Sequence, residues 1–403
     1  MLQSLISHEP VNTGRQREID LVKAFCILMM IICHCIEELF EYSGANILAV
    51  IIREYENQTM GAQAFMICMG IGIVYARKSE PKTHLKRGLS LIIVGQVLNL
   101  MRFGLPNAMV YLISGNVYYR KIMFLVFSSD IMQFAGLTFI LLGLFGALRF
   151  SELTIFIASI VMNIVGMALA GRVHTGSYII DQLLGFFIAT ESESYFPLFH
   201  WFIYPAFGMV FGVLLKRVKD KKKFYLTLLI PTGILTVLYF YVAACVEQPF
   251  FLVIRDLEAF NRMNIADALM QLVCNTFLIA TAFFVTGLLP DRIMKGVGFI
   301  SGNINRFYCV QWVLIALVDV IFSALTVTVA KGYQCYLIGV LVILLTWAAV
   351  RVYSDSLVKK VQTFIEKRKT LCYGLVIAAS VAVCAWGYGA GLPLPNFMNN
   401  YLD

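Results

Sequence analysis

Charged residues make up only 14% of this 403-residue chain. Soluble domains carry about 25%, so the shortage excludes an ordinary water-soluble globule and points to a chain that meets lipid. Histidine is also scarce, with five copies at positions 8, 34, 84, 174 and 200. The ten cysteines lie mostly inside apolar runs, as at Cys26, Cys68, Cys274, Cys309 and Cys384, and read as small packing residues rather than disulfides. The sequence has no internal repeat and no low-complexity tract, which weakens the case for the repeat-built transporter folds. No A-x-A-like site follows the short apolar core at 24–33, so that segment reads as a retained first helix rather than a cleaved signal.

What is plentiful is apolar: 60% of residues are hydrophobic, with 31 Phe and 19 Tyr, and the mean hydropathy is +0.79. The fold class implied is all-α, a polytopic membrane bundle. Apolar runs of membrane-crossing length fall at 19–37, 60–76, 88–103, 129–148, 152–170, 195–215, 224–245, 267–289, 298–322, 333–350 and 371–390. The apolar piece 121–129 reads as re-entrant or interfacial. With the N-terminus cytoplasmic, inner loops hold 22 Lys and Arg against 8 in outer loops; the excess supports that orientation. The net charge of +8 therefore reports topology and calls for no nucleic acid. The domains expected are a cytoplasmic tail (1–18), a transmembrane domain (19–350), a basic cytoplasmic linker (351–370), and an additional C-terminal helix with an outer tail (371–403).

In this count, which puts Arg102 in the outer segment 102–121, Lys23 and Arg306 are the two basic residues inside spans, and cations there usually mark a cavity or a substrate path. Lys23 and His34 are eleven residues apart, which is about 20° past three full helical turns, so they share a face roughly 16 Å apart along the axis. Glu37 and Glu38 follow His34 at i+3 and i+4, within reach of its ring. Cys33, His34 and Cys35 fan around the helix and cannot converge on one metal ion. A plainer reading gives His34 a neighbouring carbonyl as its partner, and has Lys23 snorkel to the inner interface beside Asp20.

The stretch "REIDLVKAFCILMMIICH" resembles the opening helix of membrane-bound acyltransferases, the heparan-α-glucosaminide N-acetyltransferase-like and acyltransferase-3 group. That helix carries "ID", a basic residue, ten residues, then histidine. "GAQAFMICMGIGIVYARK", "HLKRGLSLIIVGQVLN", "SSDIMQFAGLTFILLGLF", "YFPLFHWFIYPAFGMVFG" and "ISGNINRFYCVQWVLI" resemble its later helices in the same order, over about 15–350. The group usually has arginine at the basic position. Lys23 keeps the charge and loses the bidentate fork.

The resemblance implies an integral membrane acyltransferase that takes acetyl from cytoplasmic acetyl-CoA and places it on an extracytoplasmic glycan hydroxyl or amine. No metal is implied. His34 would be the general base or the acyl carrier, with Lys23 and Arg306 holding the CoA phosphates. His200, His174, Asp130 and Glu38 are candidate acceptor contacts. Asp130 after Ser128 and Ser129 reads first as a helix N-cap. His84, in the basic stretch "RKSEPKTHLKR", reads as solvated or near the CoA phosphate. The partners implied are acyl-CoA, a cell-envelope acceptor, the lipid bilayer of a plasma (inner) membrane and, left open, a second copy as a homodimer. The alternative is a secondary transporter or exporter, which would favour a midplane site at broken helices.

Overall fold

A computed structural model describes residues 5–39, 60–77, 80–173, 175–189, 194–245, 263–325, 332–352 and 355–389. Among the described residues the chain is helical and forms no sheet. Nine helices among the described residues are long and apolar enough to cross a membrane, and two shorter apolar helices join them. Each of the eleven runs read from the sequence coincides with one of these.

In chain order the helices begin with α1 (Arg17–Leu39), α2 (Ala62–Tyr75) and α3 (Pro81–Ser114). The short α4 (Val117–Ile122) continues as a 3-10 turn, Met123–Phe127. It is followed by α5 (Ile131–Ala147), α6 (Glu152–Leu169), α7 (Tyr178–Leu184), α8 (Leu198–Arg217) and α9 (Lys221–Cys245). The remainder are α10 (Ile265–Leu288), α11 (Asp291–Gly302), α12 (Ile304–Leu325), α13 (Gly332–Val352), α14 (Asp355–Lys367) and α15 (Lys369–Tyr388). The run expected at 298–322 is thus broken near Asn303, which closes α11 and accepts the backbone N–H of Arg306 at the start of α12.

Without a hydrophobic drive between helices in lipid, small residues decide where backbones meet. α2 and α8 cross so closely that a Cβ on Gly70 would strike the Pro205 carbonyl, and one on Gly208 would strike the Ile67 carbonyl. Gly72, half a turn further along α2, faces open space.

α3 runs 34 residues, about 50 Å, well beyond the run read at 88–103. Its middle, Leu100–Gly104, is a π turn in which the Leu105 N–H reaches the Leu100 carbonyl. The cause lies in the sequence. Pro106 has no N–H to give the carbonyl four residues back, which is that of Arg102, and its ring crowds that carbonyl. The widened turn carries Arg102 into the protein, where its side chain is 13% exposed. Arg102 therefore belongs inside a span, a third intramembrane cation that the sequence reading had assigned to an outer loop.

The 3-10 turn is buried from Met123 to Val126. Gln96 Nε2 donates to the Val126 carbonyl at 2.7 Å, and Asn99 Nδ2 donates to Val126 and Ser128 at 3.1 and 3.0 Å. These side chains satisfy backbone groups that no helix can, which fixes the approach to Asp130. α15, the additional C-terminal helix, packs on this turn. A Cβ on Gly387 would lie 3.0 Å from the Arg120 carbonyl and 3.2 Å from Met123.

Candidate active site

α1 is tied down at its N-terminal end by its own acidic first turn. Glu18 is buried, with Lys221 Nζ 2.5 Å away and the Tyr225 hydroxyl donating at 2.9 Å. Asp20 pairs with Arg15 at 2.5 Å and accepts from Ser301 Oγ at 2.6 Å. Asp20 is therefore occupied as a staple to α11 rather than as a partner of Lys23. Lys23 is half-buried and forms no ion pair among the described residues.

At the other end of α1, His34 is half-buried. Its ring stacks on Trp312 with centroids 4.0 Å apart and planes 25° apart. Its Nδ1 lies 3.0 Å from Gln311 Nε2 and 3.3 Å from Gln311 Oε1. An amide offers both a donor and an acceptor, so Gln311 can serve either imidazole tautomer. Nε2 takes no hydrogen-bond partner among the described residues. Neither carboxylate expected to steer the ring does so: Glu37 accepts from Cys33 Sγ at 3.5 Å, and Glu38 turns to Arg102.

Arg102 is the hub of the cluster. It donates to Glu38 at 2.5 Å and lies 3.6 Å from Asp130 Oδ2, and its guanidinium sits 3.3 Å from the Trp312 ring centroid. Asp130 caps α5 as the sequence indicates, accepting from the Ile131 N–H at 2.6 Å. It also accepts from the Tyr308 hydroxyl at 2.8 Å. Tyr308, Gln311 and Trp312 stand at i, i+3 and i+4 on α12, so one helix face supplies all three. His34 and Glu38 stand at i and i+4 on α1 in the same way. A buried guanidinium is tolerable here because two carboxylates and an indole face replace its water.

The sequence reading missed Arg102, Tyr308 and Trp312. The available signals were Pro106 four residues after an arginine in an apolar run, and the helical spacing within "RFYCVQW".

The other candidates are placed as follows. Arg306 is half-buried and donates to Asn303 Oδ1 at 3.2 Å. α1 and α12 run parallel, because Asp20 meets Ser301 and His34 meets Gln311. Arg306 therefore lies about 7.5 Å below Gln311, between the levels of Lys23 and His34. His200 is fully buried, its Nδ1 3.3 Å from the Met263 carbonyl and its ring against Gly166 of α6. None of these neighbours belongs to the His34 cluster. His84 is buried and stacks on Phe139 at 5.7 Å, so it is not a solvated loop residue. His174 lies outside the described residues.

The family model described as "Heparan-alpha-glucosaminide N-acetyltransferase, catalytic" matches residues 15–244. The match takes in His34, Glu38, Arg102 and Asp130, and ends before the α12 residues that complete the cluster. No curated protein and no solved structure matches.

Proposed function

The chain belongs to the heparan-alpha-glucosaminide N-acetyltransferase catalytic family, and from that premise we propose that it moves acetyl from cytoplasmic acetyl-CoA to an extracytoplasmic glycan. It is a multi-pass membrane protein and an acetyltransferase of that general kind. The observation that carries the finer reading is His34: its Nδ1 rests against Gln311, its ring lies on Trp312, and its Nε2 has no hydrogen-bond partner among the described residues.

In this mechanism the acceptor hydroxyl or amine attacks the thioester carbonyl while Nε2 takes its proton. Nδ1–H donates to Gln311 Oε1, which supports the imidazolium that forms. The C–S bond then breaks, and His34 returns the proton to the departing sulfur, giving the acetylated acceptor and CoA-SH. Proton transfer of this kind contributes about 10²–10⁴-fold. An acetyl-imidazole intermediate uses the same nitrogen and the same Gln311 contact. Lys23 and Arg306, on the inward side of His34, supply charge for the CoA phosphates. Glu38 and Asp130 act through Arg102.

The test uses sealed vesicles with the cytoplasmic face outward, given labelled acetyl-CoA outside and hexosamine or hydroxyl-bearing glycans inside. The reading expects label on the enclosed glycan and CoA outside. Vesicles that consume no acetyl-CoA beyond protein-free controls would overturn it and bring the transporter alternative forward.

A further inference from the structure

The basic linker has a structure that the acetyl-transfer reading does not use. Residues 351–369 contain six Lys and Arg against Asp355 and Glu366. Within them α14 forms a 13-residue helix, about 20 Å long. Its sequence repeats apolar residues at 357, 358, 361, 364 and 365, the i, i+1, i+4, i+7, i+8 spacing of a single helix face.

The helix lies between two spans. α13 ends at Val352 and α15 begins at Lys369, and both are long and apolar enough to cross the membrane. A short helix joining two such spans is held at one membrane surface. Phe364 and Ile365 are 54% and 37% exposed, so the protein does not cover them. Lys359, Lys360, Lys367 and Arg368 are exposed as well. Arg368 lies over the Phe364 ring at 5.3 Å, which places a cation at the border of the apolar face.

We propose that α14 is an in-plane helix whose apolar face enters the acyl boundary and whose lysines bind anionic lipid headgroups of that leaflet. An amphipathic helix with Lys and Arg beside its apolar stripe binds such a surface by buried area and charge together. Polybasic segments next to a span gain from the negative potential of the cytoplasmic leaflet. The occupant is the bilayer and not a soluble protein, because α14 joins two spans of membrane-crossing length and so stays next to the lipid that they cross. This proposal stands independently of the acetyl-transfer reading.

The test is amide hydrogen exchange of residues 355–369 in the full-length protein. It is carried in nanodiscs of phosphatidylcholine alone or of phosphatidylcholine mixed with phosphatidylglycerol. Exchange should be slower by about tenfold in the anionic discs, and high salt should abolish the difference. The variant Lys359→Gln, Lys360→Gln, Lys367→Gln, Arg368→Gln should unfold at the wild-type temperature and lose the lipid dependence. Equal exchange in the two discs would overturn the proposal, as would lipid dependence retained in full by the variant. Protection produced in neutral discs by CoA or inorganic phosphate would also overturn it, by assigning the cations to a soluble phosphate ligand.

Discussion

Arg102 forms a 2.5 Å ion pair with Glu38, one helical turn beyond His34. The same guanidinium lies on the indole that carries the His34 ring. One cation from a π turn thus ties α1, the N-cap of α5 and α12 together around the histidine. Removing it takes that counter-charge from both Asp130 and Glu38.

Arg102→Ala should therefore destabilise the protein by about 3–5 kcal/mol, the usual result of leaving a buried charge, here Asp130, without its partner. Arg102→Lys, which keeps charge but not the planar fork, should lose less. Denaturant unfolding in detergent measures both. An alanine variant as stable as wild type would show that the ion pairs carry no load.

Gln311→Leu removes the group against Nδ1 while leaving a side chain of similar size. Acetyl turnover should fall by about tenfold or more with acetyl-CoA affinity unchanged, because the contact supports the protonated ring and not the donor. Steady-state kinetics separates the two parameters. A change confined to KM would contradict the placement of Gln311 beside the reacting imidazole.

The two glycines of α2 should behave in opposite ways. Gly70→Ala sets a Cβ against the Pro205 carbonyl and should cost about 1–3 kcal/mol through forced separation of α2 and α8. Gly72→Ala meets nothing and should stay within about 0.5 kcal/mol of wild type. Paired thermal unfolding curves check the contrast.

Gly387→Leu tests the grip of α15 on the segment that leads to Asp130. A bulky side chain at 387 has no room between the Arg120 carbonyl and Met123. Both stability and acetyl turnover should drop. Full activity in this variant would mean that the C-terminal helix is independent of the site.

The spans were legible because a membrane helix must bury its own backbone hydrogen bonds and therefore writes itself as a long apolar run. The Asp130 cap was legible for an equally local reason, since Ser-Ser-Asp before an apolar helix satisfies free N–H groups. Arg102 was not legible by hydropathy, which treats an arginine at the end of an apolar run as a loop boundary. Only the backbone effect of Pro106 and the carboxylates of two other helices keep it inside. His200 shows the limit of local reading: its position at the mouth of α8 could be read, whereas its contacts with Met263 and Gly166 are encoded by no local pattern. Asp20 was read beside Lys23 from spacing alone, whereas Arg15 and Ser301 claim it through tertiary packing.

The most direct measurement compares wild type with His34→Ala in nanodiscs, recording acetyl-CoA binding and slow thioester hydrolysis, neither of which requires the acceptor. The account predicts unchanged binding and turnover lowered by about 10²–10⁴-fold in the variant. Turnover that survives the loss of His34, or a wild-type protein that neither binds nor hydrolyses acetyl-CoA, would contradict it.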